Sequence, residues 1–423
     1  MILKNSFIIA FFSVISLVLG VVRDRLLAQV VGVGPMLDVY NAAFRIPDLV
    51  YGILLSAVSA ATVVPFITKH KDEDVDELQS KFNSLFFFFG GALSISSVIA
   101  MFLTPSLTPH IVPGFDEFQR GYFIIATRIL LIQPLFLGLS ALIASLAQVR
   151  HRFVLYGVAP LFYTGAIIAS IPLLYPTHGI YGIVAGVVVG AFGSLVIQSY
   201  TLYESRMNIK LSLFSWKHVR THMRIALPRS LANVLSRIRE IIFTAVATSL
   251  GVGVLSTYLF AQRITDAFVQ VVVQSAATAA LPILSHKHVH NEQGDFARLL
   301  RINLISIVGI SVIVSALIII YAETIVRVIY GNVANAHQIA VMARGIAWML
   351  PVYAVNIYFA NAFNAAKDTA GLLYANIISS SLSVLVLYLL AASYGSFALI
   401  IGGWTLSGVY LASLLIFYTR KKR

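Results

Sequence analysis

Cysteine is absent from this chain, and charged residues are scarce. No disulfide, thiolate metal site or cysteine nucleophile can therefore form. Only 11% of the residues are charged, whereas 59% are hydrophobic and the mean hydropathy is +0.87. A soluble domain carries roughly 25% charged residues. No P-loop sequence occurs, which argues against direct ATP hydrolysis. These deficits predict an all-α polytopic membrane protein.

Long apolar runs divide the chain into about twelve candidate transmembrane helices, because one span needs roughly 20 apolar residues. The first run ends at Arg23 without a small-residue cleavage site, so we expect it to be retained as a helix. The predicted spans cover residues 6–22, 42–68, 82–104, 122–147, 154–175, 180–203, 225–249, 258–284, 302–321, 339–362, 371–393 and 397–418.

Lysine and arginine are distributed unevenly among the loops between these spans. With both termini inside, most basic loop residues face inward, and only Arg23, Arg25, Arg120 and Arg327 face outward. By the positive-inside rule, both termini should lie in the cytoplasm. Membrane topology then explains most of the net charge of +13, and no nucleic-acid partner is expected.

A short motif recurs after 218 residues, because Arg45-Ile-Pro-Asp48 returns as Arg263-Ile-Thr-Asp266. Each copy follows a Gly-Val-Gly sequence and precedes Ser-Ala-Ala-Thr and a proline. This duplication predicts two six-helix lobes in the same orientation, as in transporters that bind substrate between parallel repeats around a central cavity. We expect an N-lobe at residues 1–205, an interfacial linker at 206–224 and a C-lobe at 225–423.

Polar residues within the spans predict that this cavity is hydrated and positively charged. They recur at helical spacing in spans one, two, seven and eight, and lipid offers them no hydrogen bonds. Arginine outnumbers carboxylate there, and guanidinium groups bind phosphate through paired hydrogen bonds. The candidate binding residues are Arg23, Arg45, Arg229, Arg237 and Arg263, supported by Asp38, Asp48, Asp266, Gln262 and Gln270.

A structural interpretation of the repeated motif also fits the spacing. Arg45 and Asp48 are three residues apart on a helix, as are Arg263 and Asp266, so each pair could neutralise itself. The residues alone leave open whether the aspartates neutralise the arginines or orient them for a ligand. No metal ligand set, cofactor site or catalytic constellation is predicted.

Several segments carry a family resemblance. They are Ser16 to Asp24, Gly32 to Gly34, Asp38, Ala43 to Asp48, Val112 to Phe115, Ala261 to Arg263 and Leu281-Pro282. In these segments the chain resembles the MurJ/MviN lipid II flippases of the multidrug/oligosaccharidyl-lipid/polysaccharide exporter superfamily. The resemblance implies alternating access that moves the undecaprenyl-pyrophosphate-linked peptidoglycan precursor across the bacterial cytoplasmic membrane. It also implies that Arg23, Asp24, Asp38, Arg45 and Arg263 lie in or near a cationic cavity.

Departures from the family pattern keep other functions open. Leu17, Tyr51 and Gly52 stand where many members carry arginine. The cargo could therefore be another polyprenyl-linked glycan. A cation-coupled drug exporter should have an acidic cavity. A glycan-modifying enzyme should have paired carboxylates or a His-Asp set at one face, whereas Asp48 and Asp266 are each matched by an arginine. We expect a monomer without enzymatic activity or cofactor that is surrounded by membrane lipids. The membrane potential or a monovalent ion would drive it.

Overall fold

Helices form all the regular structure in the part of the chain that the computed structural model describes: residues 2–58, 63, 75–149, 152–269, 293–365 and 369–421. This confirms the predicted all-α class. The helices are α1 (Ile2–Leu26), α2 (Pro35–Ala43), α3 (Arg45–Val58), α4 (Val75–Ile111), α5 (Glu117–Leu130), α6 (Gln133–Val149), α7 (Phe153–His178), α8 (Ile180–Glu204), α9 (Trp216–Ser249), α10 (Val254–Phe268), α11 (Gln293–Tyr330), α12 (Ala336–Ala347), α13 (Leu350–Ala365), α14 (Thr369–Tyr394) and α15 (Phe397–Lys421).

Seven segments of the described residues are long and apolar enough to cross a membrane, or eight if the bent pair α12–α13 is one span. The predicted count of about twelve is not reached on this criterion. Spans one, two, seven and eight are outside the set, and they are the spans with the predicted polar stripes. Part of this group also lies outside the described residues. The seven are Glu77–Ile111, Glu117–Val149, Phe153–His178, Ile180–Glu204, Asn303–Tyr330, Gly371–Tyr394 and Phe397–Phe417.

Three helix pairs are interrupted shortly before a proline. Pro47, Pro134 and Pro351 each lie in the first turn of the second helix of the pairs α2–α3, α5–α6 and α12–α13. Proline lacks an N–H and is tolerated in the first turn, where that donor would have no helical partner. The predicted spans 42–68, 122–147 and 339–362 therefore each contain a helix interruption, and at the last of them α12 and α13 are bent by 51°.

The chain divides into two compact units, Met1–Ile241 and Ile242–Arg423. The predicted linker, 206–224, contains a short 3-10 turn and the beginning of α9, which runs unbroken from residue 216. Asn83 on α4 fixes this segment, because its Nδ2 donates to the Asn208 carbonyl at 2.9 Å and its Oδ1 accepts from the Lys210 amide at 2.8 Å. The predicted lobe boundaries stay a prediction.

Glycines bring two helices of the first unit close together. A Cβ atom added at Gly182 would lie 2.6 Å from the carbonyl oxygen of Leu174, and one at Gly190 would lie 2.7 Å from that of Tyr163. Lipid provides no hydrophobic force between helices, so membrane helices associate through such small residues. The backbone of α8 therefore packs directly against α7.

Side chains from neighbouring helices satisfy carbonyl groups near the break in the second unit. Pro351 cannot donate to the carbonyl of Ala347, and Ser315 Oγ donates to it instead at 2.6 Å. Trp404 Nε1 donates to the carbonyl of Gly345 at 2.9 Å. These bonds connect α11 and α15 to α12, as expected where a broken helix lies among others in a membrane.

Candidate functional site

Four charged side chains from α3 and α9 come together in the first unit. We call Arg45, Asp48, Arg237 and Glu240 the charge cluster. Glu240 Oε2 accepts a hydrogen bond from Arg237 Nη1 at 2.8 Å and lies 3.5 Å from Arg45 Nη1. Asp48 interacts electrostatically with both arginines. Two guanidinium groups thus face two carboxylates, and the cluster has no net formal charge.

The pairing in the charge cluster crosses between helices. Arg45 forms an ion pair with Glu240, which lies on α9, and Asp48 interacts electrostatically with Arg237 on α9 as well as with Arg45. Arg45 and Asp48 are therefore not an isolated pair, because charged residues of α9 interact with both. The two acidic residues instead hold two arginines of different helices side by side, with only 13% of the Arg45 side chain exposed.

Gly52 provides the space that Arg237 occupies. A Cβ atom at this position would lie 3.0 Å from Arg237 Cγ and 3.5 Å from its Nε. Gly52 is buried and follows Asp48 by about one helical turn, so the arginine side chain runs along the α3 backbone. The sequence marked Gly52 only as a departure from the family pattern, and it carried no signal for this packing role.

Arg23 lies at the end of α1 and is held by its neighbour. Its Nε and Nη2 donate to Asp24 Oδ1 at 3.0 and 2.9 Å. Tyr40 and Tyr163 also interact electrostatically with Arg23, and Tyr163 interacts in the same way with Asp48. Tyr163 is therefore within electrostatic range of both Arg23 and Asp48. It was not predicted, because a tyrosine in an apolar run resembles any core aromatic.

The acidic supports are buried to different degrees. Asp24 is 6% exposed and Asp38, on α2, is 1% exposed. Asp48 is half-buried, whereas Asp266, in the second unit, is exposed. Because a carboxylate without a partner is costly in a membrane, the buried aspartates are the stronger candidates for holding the arginines of the site in place.

The second copy of the motif rests on aromatic side chains. The guanidinium carbon of Arg263 lies 5.5 Å from the ring centroid of Phe260, within the range of a cation–π contact. Phe260 stacks on Tyr330 with centroids 4.6 Å apart, and the Tyr330 hydroxyl donates to the Phe260 carbonyl at 2.8 Å. Asp266 interacts electrostatically with Arg263. Gln262 on the same helix is half-buried.

Two predicted site residues fall outside this description. Arg229 lies on α9, but its side chain is not among those described, and Gln270 follows the last described residue of its segment. The Ser-Ala-Ala-Thr sequences after each motif also lie outside the described residues. The predicted stripe of span eight is therefore visible only at Gln262 and Asp266.

The described arrangement suits a phosphate ligand. Each arginine has several N–H donors, and a carboxylate occupies only some of them. An entering phosphate would meet guanidinium groups that acidic neighbours already hold in place, so little orientation is lost on binding. The same carboxylates reduce the net positive charge, and they would compete with the ligand.

Comparison with known proteins places this chain in a family. A sequence profile for the lipid II flippase MurJ matches residues 27–423. The probable lipid II flippase MurJ of Treponema pallidum is 23% identical over 411 residues, which cover 93% of this chain and 77% of that protein. The lipid II flippase MurJ of Burkholderia cenocepacia is 24% identical over 433 residues, which cover 97% and 82%.

Solved structures share the fold. A lipid II flippase MurJ in an inward closed conformation gives a TM-score of 0.85 at 17% identity, covering 98% of this chain and 87% of that one. An inward-facing multidrug resistance MATE family transporter of the MOP superfamily gives 0.77 at 16% identity, with coverages of 96% and 94%. Because the family profile extends over nearly the whole sequence, this chain belongs to the lipid II flippase MurJ family.

Proposed function

We propose that this protein moves lipid II, the undecaprenyl-pyrophosphate-linked peptidoglycan precursor, from the inner to the outer leaflet of the bacterial cytoplasmic membrane. Family membership over residues 27–423 is the observation that carries this proposal. The neighbouring arginines of α3 and α9 support it, because the pyrophosphate of the cargo is an anion that guanidinium groups bind in a bidentate manner.

The binding residues would be Arg23, Arg45 and Arg263, with help from Arg229 and Arg237. Asp24 and Glu240 keep three of these side chains oriented at hydrogen-bond or ion-pair distance. Pyrophosphate oxygens would then take the donors that the carboxylates leave. The polyprenyl tail stays in lipid while access alternates between the two faces.

The transport step involves no covalent chemistry, so we propose a monomeric transporter without catalytic activity or cofactor. The driving force would be the membrane potential, which is worth ~2.3 kcal/mol per charge per 100 mV, or a monovalent ion. The cytoplasmic placement of both termini is part of this proposal.

The cationic site is tested by surface exposure of lipid II in cells that depend on this protein. The double variant Arg23→Ala with Arg263→Ala should lower exposure strongly at unchanged protein abundance. A matched control is Arg152→Ala, because Arg152 forms an ion pair with Glu204 away from these residues and should leave exposure unchanged. Normal exposure in the double variant would overturn the arginine site.

The cysteine-free sequence makes the orientation directly measurable. Lys210→Cys should react with a membrane-impermeant maleimide only after the cells are opened, whereas Glu117→Cys should react in intact cells. The reverse labelling pattern would contradict cytoplasmic termini and leave the arginine site to be judged by the lipid II assay.

A second candidate is a flippase for another polyprenyl-linked glycan. The departures at Leu17, Tyr51 and Gly52 favour it. At Gly52, the side chain of Arg237 occupies the space that a larger residue would need. Complementation of a conditional lipid II flippase mutant separates the two functions. Growth supports lipid II as cargo. Failure to grow, with a different glycan lipid found by mass spectrometry of the purified protein, supports the second candidate.

A further inference from the structure

One arginine in each unit donates to a backbone carbonyl of the preceding long helix. Arg128 Nε on α5 donates to the carbonyl of Met101 on α4 at 3.2 Å. Arg344 Nε on α12 donates to the carbonyl of Ile319 on α11, also at 3.2 Å. Met101 and Ile319 are separated by the same 218 residues as the repeated motif. Both units therefore contain the same contact.

In each unit a helix defect frees the carbonyl that the arginine satisfies. Pro105 has no N–H to donate to Met101, four residues earlier. Tyr321 has non-helical backbone angles, φ −102° and ψ 17°, two residues after Ile319. The contact through Nε thus has a structural reason, and it leaves the terminal guanidinium nitrogens of each arginine for a second partner.

The second unit supplies that partner itself. Arg344 Nη2 lies 3.5 Å from Glu323 Oε1, and His337 Nδ1 lies 3.1 Å from the same oxygen. Glu323 follows Ile319 by four residues, and the position four residues after Met101 is Pro105. Among the described residues, no acidic side chain forms an ion pair with Arg128. The first unit therefore has proline where the second has the carboxylate.

Arg128 is exposed and lies among side chains suited to lipid. Phe102, beside Met101, is 79% exposed, and Ile125 and Ile132 flank Arg128 on the same face of the chain. Met101 lies three residues before the predicted end of span three and about three helical turns before the end of α4 at Ile111, so the guanidinium lies in the half of the helix nearer the α4–α5 loop. A charge at this depth is stabilised by an anionic partner or by reaching the headgroups.

We propose that Arg128 binds the phosphate of a phospholipid in the leaflet beside the α4–α5 loop, which is the outer leaflet in the predicted orientation. The phosphate takes the place in the first unit that the Glu323 carboxylate takes in the second. Its oxygens accept from the terminal guanidinium nitrogens, while Nε stays on Met101. The proposal does not depend on the identity of the cargo.

A matched pair of variants tests the proposal. Pro105→Glu and Pro105→Gln both restore the missing N–H, but only Pro105→Glu adds a carboxylate at the position equivalent to Glu323. We expect Pro105→Glu to bind dioleoyl phosphatidylglycerol about tenfold or more weakly than Pro105→Gln, as for loss of one charged hydrogen-bonded contact. Native mass spectrometry of the full chain in detergent measures the binding, with dioleoylglycerol as the phosphate-free control.

Equal binding by the two variants, or equal binding of dioleoylglycerol and phosphatidylglycerol to the wild type, would overturn the proposal. If Pro105→Glu does not fold, Arg128→Gln decides in the same assay and should lose the same bound lipid. A comparison of two lipids distinguishes the source of the phosphate. Saturable binding of undecaprenyl phosphate without saturable binding of phosphatidylglycerol would assign Arg128 to the cargo pathway and contradict a phospholipid site.

Discussion

The two copies of the Arg-Ile-x-Asp motif have similar sequences and different surroundings. In the first unit Arg45 shares Glu240 with Arg237, and the cluster is built from ion pairs. In the second unit Arg263 lies against Phe260, which is supported by Tyr330. The arginine and the aspartate that interacts with it recur in each unit, but the other groups that contact the arginine differ.

Arg128 and Arg344 are a second pair of equivalent arginines, and here it is the second unit that has the acidic partner. Arg344 has the carboxylate of Glu323, whereas Arg128 has Pro105 at the corresponding position. Duplication therefore preserved the positions of the arginines, and the two units diverged in the groups that neutralise or support them. Substituting these groups one at a time tests whether the two units depend on them differently.

The largest effect should come from the carboxylate of the charge cluster. Glu240→Gln leaves two guanidinium groups without their shared acid, and we expect a loss of about 2–4 kcal/mol, below the 3–5 for a fully buried pair. Asp266→Asn removes the exposed carboxylate that interacts with Arg263 in the second unit, and this change should cost less than about 1 kcal/mol. Thermal unfolding of both proteins in one detergent measures the contrast. Equal losses would mean that the two copies do not differ in their reliance on ion pairs.

Gly52→Leu should have the next largest effect, because any side chain there meets Arg237 at 3.0 Å. Overpacking of this kind costs about 1–3 kcal/mol. The control Gly91→Leu introduces the same side chain where nothing lies within 4 Å of the added Cβ atom. Adding Arg237→Ala should relieve the steric part, so the double variant should be more stable than the sum of the single losses predicts. Strict additivity would contradict the contact.

The aromatic support of the second copy should have a smaller effect. Tyr330→Phe removes the hydrogen bond to the Phe260 carbonyl and keeps the stacked ring, so we expect a loss of about 1 kcal/mol. Tyr388→Phe, at a tyrosine that is 75% exposed, is the matched control and should leave the unfolding midpoint unchanged. If the two variants unfold at the same temperature, the hydroxyl does not support Arg263.

The smallest change in stability should follow Glu323→Gln, because this carboxylate is exposed. Its effect on lipid binding should be clear, since Arg344 then resembles Arg128 and should gain one phosphatidylglycerol in native mass spectrometry. His337→Gln keeps the carboxylate and should gain none. Absence of any gain in Glu323→Gln would show that the carboxylate is not equivalent to a bound phosphate.

The sequence predicted the helices whose limits are set locally. Span five was predicted at 154–175 and α7 covers Phe153–His178, while span six was predicted at 180–203 and α8 covers Ile180–Glu204. Gly179, between them, adopts a positive φ of 55° that ends one helix and starts the next. Hydropathy and a glycine are enough for such boundaries, because no distant residue takes part.

The helix breaks and the partners of the arginines could not be predicted in this way. Pro160 and Pro172 lie within the continuous α7, whereas Pro134 begins a new helix, although all three stand in apolar runs. A donor from another helix does not decide the outcome, because one is present both at Pro105 inside α4 and at the break before Pro351. Periodicity likewise placed Arg45 on a polar face, but it could not identify Glu240 as the partner.

The ion pair between Arg45 and Glu240 has a consequence for biosynthesis. Glu240 is made 195 residues after Arg45, which at 5–20 residues per second means roughly 10 to 40 s of translation. During that interval α3 has left the ribosome without the acid that accompanies Arg45 in the finished protein. The first unit is therefore completed by its last helix, and until that helix is made Asp48 is the acidic residue of α3 that interacts with Arg45.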